Sequence, residues 1–205
     1  MAIRALFPTL VYTAPLAARG GGALNQALLR ECRQLRHDDA AGRVWSLSHY
    51  PGGFTSYGSA ARMHRVSPTF ARLERAVDGH VRRFIRSLAL DLGRRSLTMT
   101  DCWVNLIPPG TAHGLHLHPL SAISGTYYVA TPPRAPGLKL EDPRLDRMMA
   151  SPPRRAGAPQ ARQTWVVIPA RAGSLVLFES WLRHEVPVSL ARSERVSISF
   201  NYGWL

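Results

Sequence analysis

His113, His116 and His118 crowd into residues 111–119. On an extended chain, residues two apart point to the same face, so His116 and His118 can offer two imidazoles to one metal ion. A third ligand must come from elsewhere, and His184 is the best placed. It follows a β-prone run, 174–178, and the short aromatic turn Ser180-Trp181-Leu182, where a barrel can return a distant strand to the first. An HxH pair alone is a weak signal, since an isolated histidine is more often a surface or core residue. His113 stands as an alternative ligand.

A second chemical feature lies eleven residues beyond His184, where Arg195 opens the run Arg195-Val196-Ser197-Ile198-Ser199-Phe200-Asn201. Alternation puts Arg195, Ser197 and Ser199 on one face and Val196, Ile198 and Phe200 on the other. An arginine inside an otherwise buried strand needs a partner, because an unpaired buried charge is costly. Its fork matches a carboxylate through two parallel hydrogen bonds. The partner is either an anionic ligand beside the metal or a structural Asp or Glu.

The elements that must position these groups divide the chain in two. Residues 5–12 look like an edge strand, and Gly20-Gly21-Gly22 breaks the chain after it. Leu24, Leu28, Cys32 and Leu35 recur at helical spacing and predict a helix over 23–35. Residues 37–65, rich in Gly, Ser, Tyr and His and carrying the turn Tyr50-Pro51-Gly52-Gly53, read as an irregular loop. Ser67-Pro68 starts a long helix, serine as cap and proline at the first position. Its apolar stripe is Phe70, Leu73, Val77, Val81, Phe84, Ile85 and Leu88, with Gly93 as the stop. Short β-prone runs follow at 97–106, 122–130, 137–141, 164–168, 174–178 and 195–202. Short strands separated by turn signals mean a sandwich or barrel. Residues 146–163, with Pro152-Pro153, read as a flexible excursion between strands.

Composition narrows the class. The chain has 205 residues, which predicts one domain, 1–205, with a helical and loop part at 1–95 and a β core at 96–205. Apolar residues make up 45%, ordinary for a globular protein. Cys32 and Cys102 form no paired motif, so neither a zinc ribbon nor a disulfide framework is expected. No signal peptide or transmembrane run is visible, and a cytoplasmic location is expected. The net charge of +13 would suit nucleic acid. However, the cations are nearly all arginine, Lys139 is the only lysine, and they are scattered rather than clustered. That argues against a nucleic-acid partner and leaves a field that favours an anionic substrate or co-substrate. A homodimer is the base-rate expectation.

In order and spacing, several blocks together resemble the 2-oxoglutarate/Fe(II)-dependent oxygenase superfamily, closest to a group of small bacterial members with an HxHP…H…RxS pattern. They are Phe7-Pro8, Thr55-Ser56-Tyr57-Gly58, Trp103-Val104-Asn105, His116-Leu117-His118-Pro119 and Ser124-Gly125-Thr126-Tyr127-Tyr128-Val129. Glu141-Asp142-Pro143-Arg144, Gly173-Ser174-Leu175-Val176-Leu177-Phe178, Ser180-Trp181-Leu182-Arg183-His184 and the Arg195 run complete the set. The resemblance implies a double-stranded β-helix (jelly-roll, cupin-like) barrel buttressed by N-terminal helices. It implies Fe(II) on His116, His118 and His184, and 2-oxoglutarate anchored by Arg195 with Ser197 assisting and Asn105 and Tyr127 as further contacts. The reaction it implies is a dioxygenase reaction, hydroxylating a small molecule or an amino acid or peptide side chain and releasing succinate and CO2. There is one departure. The usual ligand set has a carboxylate where this chain has His118, so Asp142 or Glu179 is a candidate substitute. Two rivals follow: a three-histidine cupin-type enzyme that does not use 2-oxoglutarate, and a non-catalytic jelly-roll binding protein. Trp103, Trp165 and Phe178 are candidate apolar walls. Substrate contacts are expected in 43–62 and 146–163.

Overall fold

The computed structural model describes residues 1–16 and 21–204. The glycine break falls partly on residue 20, outside the described residues, while Gly21 and Gly22 open the first helix.

Among the described residues four α-helices and ten strands follow in order: β1 (Val11–Pro15), α1 (Gly21–Asp38), α2 (Ala40–His49), β2 (Phe54–Thr55), α3 (Met63–Val66), α4 (Pro68–Leu88), β3 (Leu97–Ile107), β4 (His113–His116), β5 (Ile123–Ala130), β6 (Leu138–Glu141), β7 (Trp165–Ile168), β8 (Ser174–Glu179), β9 (His184–Val186) and β10 (Arg195–Trp204). The strands form two antiparallel sheets. One has the order β1-β8-β5-β10-β3-β2 and the other β4-β9-β6-β7. From β3 to β10 the chain passes back and forth between the two, which is the double-stranded β-helix, or jelly roll.

The large sheet is covered on one face by helices. α4 is capped by Ser67, whose hydroxyl accepts from the amides of Thr69 and Phe70 at 3.2 and 3.3 Å. It buries Phe70, Leu73, Val77, Val81 and Phe84, the stripe that the 3.6-residue period predicts. These side chains, with Leu28 and Cys32 of α1, pack against Val104, Leu106, Tyr127, Val129, Leu175, Leu177, Val196, Ile198 and Phe200. The opposite face looks toward the small sheet across Ile107, Tyr128, Leu138, Leu140, Val176, Phe178 and Val186. β10 shows the division most clearly, with its even-numbered residues toward the helices and its odd-numbered ones toward the other sheet.

Three expectations need correction. Residues 37–65 are an irregular loop only in part: 50–62 are turns and bends around β2, whereas 37–49 and 63–66 are helical. α1 runs on to Asp38, and α2 begins one residue later with the Asp39 carboxylate accepting from Gly42 N at 2.7 Å. Gly42, Ser46 and Ser48, which read as loop signals, are internal to α2, where Gly42 is needed because a Cβ there would strike the Asp39 carboxylate. The edge strand lies at Val11–Pro15 rather than 5–12 and pairs with β8. α4 ends at Ala89, in the left-handed region at φ 54°, before Gly93 is reached. Three strands, β2, β4 and β9, went unforeseen. They are two, four and three residues long, too short to show a period.

Candidate metal centre

β4 and β9 pair antiparallel, and their register sets His116 directly opposite His184. His118 lies just beyond β4, held by its backbone amide on the Ser180 carbonyl at 3.0 Å. The three rings converge: centroids are 4.3 Å apart for His116–His184, 5.0 Å for His118–His184 and 5.3 Å for His116–His118. One nitrogen from each lies within 4.8 Å of the others, close enough to share an ion.

Each ring is fixed from behind through Nδ1. That nitrogen of His116 donates to the Gly114 carbonyl at 2.7 Å, and that of His184 to the Leu182 carbonyl at 2.8 Å. For His118 the partners are Asn201 Oδ1 at 2.6 Å and Ser124 Oγ at 2.8 Å. Ser124 is held in turn by Asn201 and Ser180. A carbonyl can only accept, so Nδ1 carries the proton and Nε2 keeps its lone pair for the centre, the arrangement a metal-ligating histidine needs. Burial makes the rings harder to protonate. It pushes His184 down to about 3, with the neighbouring His116 adding to the effect, and His118 down to about 4 against the opposing Asn201 hydrogen bond. His116 is lowered by burial too. All three are therefore neutral donors at ordinary pH.

No carboxylate joins this group among the described residues. Asp142 is gripped by Arg144 at 2.9 and 2.8 Å, and Glu179 stays outside the cluster. His113 also stays outside the trio, although its ring stands 4.2 Å from that of His116.

Beside the histidines is a cavity lined by Asn105, Thr126, Arg195, Ser197 and Ser199 from the large sheet, and by Tyr50, His113, Leu138 and Val186. Trp103 and Phe178 also line it, whereas Trp165 does not and instead lies under the Lys139 ammonium at 4.3 Å. Arg195 is 2% exposed, and its guanidinium carbon lies 4.9 Å from the Tyr128 ring centre. Among the described residues no carboxylate comes within ion-pair distance of it, and its Nε has no partner. Five more buried polar atoms among the described residues are orphaned; Asn105 Oδ1, Thr126 Oγ1 and Tyr128 Oη are on this side of the large sheet, and His64 Nδ1 and Ser189 Oγ lie elsewhere. Such atoms are rare in folded proteins. An unpaired cation with three orphaned polar atoms, next to three neutral imidazoles, fits a chelating dianion lying alongside a divalent metal.

The placement of Tyr127 is a correction. Its side chain points to the helical face, where its hydroxyl donates to Asn25 Oδ1 at 2.8 Å. Its neighbour Tyr128 faces the cavity side. Side chains alternate along a strand, and the parity was readable, since Ser124 and Thr126 are the polar positions of β5 and Tyr128 shares their face. Asn201 was likewise accessible as the next odd-numbered residue after Arg195, Ser197 and Ser199.

Residues 101–201 match a family described as "Putative 2OG-Fe(II) oxygenase", and that segment contains the three histidines, Asn105, Arg195 and Ser197. Residues 101–201, about half of the chain, thus carry a 2-oxoglutarate/Fe(II)-dependent oxygenase domain, a class of metal enzymes. No curated protein sequence matches the chain. Among solved structures, it resembles a prolyl-4-hydroxylase from Pseudomonas putida, at 19% identity and a TM-score of 0.60 over 95% of this chain and 92% of that one. It also resembles HygX from Streptomyces hygroscopicus, solved with nickel, 2-oxoglutarate and hygromycin B. There the identity is 16% and the TM-score 0.62, over 96% of this chain and 83% of that one. A third likeness is to the carbocyclase SnoK from nogalamycin biosynthesis, at 14% identity and a TM-score of 0.65, covering 95% and 79%. At these identities the likeness establishes the jelly-roll fold. Fe(II) and 2-oxoglutarate, the family's cofactors, suit the donor set described above.

Proposed function

We propose that this oxygenase hydroxylates a C–H bond of a small molecule or of an amino acid or peptide side chain, with His116, His118 and His184 holding Fe(II) and Arg195 anchoring 2-oxoglutarate. The observation that carries the reading is Arg195, a fully buried guanidinium with no protein anion, directed to the cavity that the histidines border. When bound, iron and 2-oxoglutarate supply dioxygen activation, with 2-oxoglutarate consumed to succinate and CO2.

The protein's own residues do the rest. The three Nδ1 hydrogen bonds fix ring orientation, so no reorganisation is needed when the ion enters. Arg195 receives the far carboxylate in a fork, and Ser197, on the same face of β10, offers a hydroxyl beside it. Asn105 Oδ1, Thr126 and Tyr128 supply polar atoms that have no other partner. Trp103 and Phe178 keep that side of the centre apolar, limiting water around a reactive species. Residues 1–205 act as one unit in this reading, because α1 and α4 share one core with the sheet whose other face carries the site.

The neighbours support two substrate classes, since one is a prolyl hydroxylase and another was solved with hygromycin B. The test is a screen of proline-containing peptides and small cyclic natural products for substrate-stimulated succinate release. A class that raises succinate above the substrate-free rate and gains one oxygen atom supports the reading, and substrate oxidation without succinate contradicts it. One observation favours a second reading, a metal enzyme independent of 2-oxoglutarate: the ligand trio is made wholly of neutral imidazoles. Under that reading, replacing Arg195 leaves both metal binding and oxygen consumption intact.

A further inference from the structure

Aromatic rings link the candidate centre to the protein surface. Trp103, 5% exposed, stands 5.6 Å from His118, centroid to centroid. Tyr57 meets Trp103 edge to face at 5.0 Å and is 50% exposed. Trp45 lies 6.2 Å beyond Tyr57 and stacks on the exposed His49 at 4.0 Å. Gly58 makes room for Trp45 in this chain of contacts: a Cβ there would lie 2.5 Å from the indole. The other aromatic side chains near the histidines do not lead outward in this way. Phe178 is not readily oxidised, and Tyr50, beside His113, is 2% exposed.

Tryptophan and tyrosine are the side chains that most readily give up single electrons, and electron transfer between rings in near contact is fast. We infer that Trp103 and Tyr57, with Trp45 beyond them, form an outward relay that discharges oxidising equivalents when the centre turns over without substrate. The inference rests on the proposed oxygenase reading. In such a turnover, dioxygen and 2-oxoglutarate leave succinate, CO2 and one oxygen atom still two electrons short of water. Trp103 gives an electron toward the centre and is refilled by Tyr57. Tyr57 loses its phenolic proton to solvent and is restored by an electron and a proton from a soluble one-electron donor of the ascorbate class, while the oxygen takes its protons from solvent. A second passage completes two electrons and two protons, and the oxygen leaves as water. Two donor molecules are each oxidised by one electron. Without this route, the same equivalents attack the buried site itself.

The test needs no substrate. Protein loaded anaerobically with Fe(II) and 2-oxoglutarate is mixed with dioxygen, then freeze-quenched for electron paramagnetic resonance. In parallel, succinate is quantified and oxidised residues are located by peptide mass spectrometry. Wild type is compared with Tyr57→Phe and Trp45→Phe, after iron and 2-oxoglutarate titrations show that both variants load normally. The relay predicts a tyrosyl radical in wild type that disappears in Tyr57→Phe. In that variant, oxidation at Trp103 and His118 rises several-fold while succinate is unchanged, and added ascorbate no longer protects. Identical radical spectra and oxidation patterns in wild type and Tyr57→Phe, with succinate formed in both, overturn the relay alone. Absence of succinate in all three proteins overturns the oxygenase reading and the relay with it.

Discussion

The two faces of the large sheet follow opposite rules. Toward the helices, β10 presents Val196, Ile198, Phe200 and Tyr202, all essentially unexposed and packed in one apolar cluster. Toward the small sheet, the same strand presents Arg195, Ser197, Ser199 and Asn201, and the polar atoms around them are incompletely satisfied. The first face buries surface and stabilises the fold. The second holds a buried charge and orphaned hydroxyls that make no sense as stabilising contacts, so their value lies in what they bind. One strand thus separates stability from function by residue parity.

This contrast can be broken or sharpened by substitution. The largest effect is expected at the histidines. His116→Ala and His184→Ala each abolish Fe(II) binding, as read by equilibrium dialysis, while the metal-free fold stays intact by circular dichroism. Full iron occupancy in either variant would show that the trio is misassigned. On the helix-facing side, Phe200→Ala should cost about 3–5 kcal/mol of stability in denaturant unfolding, with metal affinity of the folded fraction unchanged. Arg195→Met should do the reverse. It should weaken 2-oxoglutarate binding by about 2–5 kcal/mol, the usual loss when one partner of a buried hydrogen-bonded charge pair is removed. The metal-free protein should be no less stable, because an unpaired buried charge has been removed. Asn201→Ala, which frees the His118 ring from behind, should lower metal affinity about 10- to 100-fold without a matching loss of stability.

The buried imidazoles also give a pH dependence. Burial lowers the folded-state values of His184 and His118 to about 3 and about 4, whereas the unfolded chain protonates its histidines near the ordinary value of about 6.5. The unfolded state therefore binds more protons between these limits, so metal-free stability is complete above about pH 6.5 and declines as pH falls toward 4. Unfolding midpoints measured from pH 7.5 to 4.5, with Fe(II) absent, check the sign. A stability that rises on acidification would contradict the burial of neutral imidazoles.

Much of this was legible in the sequence, and the failures have physical causes. The α4 stripe and the long strands announce themselves through repeated period, and the strand bounds at β3, β5 and β10 fall within a few residues of expectation. The alternation of Arg195, Ser197 and Ser199 against Val196, Ile198 and Phe200 is seen directly in the packing. β4 and β9 were missed because strands so short carry no period, yet they deliver His116 and His184 face to face. α2 was hidden because Gly42 and Ser46 lower helical propensity, while tertiary contacts hold them: the Ser46 hydroxyl donates to the Gly42 carbonyl at 2.7 Å and accepts from Thr55 N at 3.0 Å. Tyr127 and Tyr128 are adjacent and both buried, so hydrophobicity could not separate them, and only parity with Ser124 and Thr126 does. Among the described residues no helix is long and apolar enough to cross a membrane.

The central claim is that the polar face of the barrel binds a metal and 2-oxoglutarate together. It is tested most directly by titrating anaerobic metal-free protein with Fe(II) and then 2-oxoglutarate, following the weak visible charge-transfer absorption of an iron-chelated keto acid. The account predicts a saturable band in wild type that is lost in Arg195→Met although iron still binds. Tight iron binding with no band at any 2-oxoglutarate concentration would contradict it.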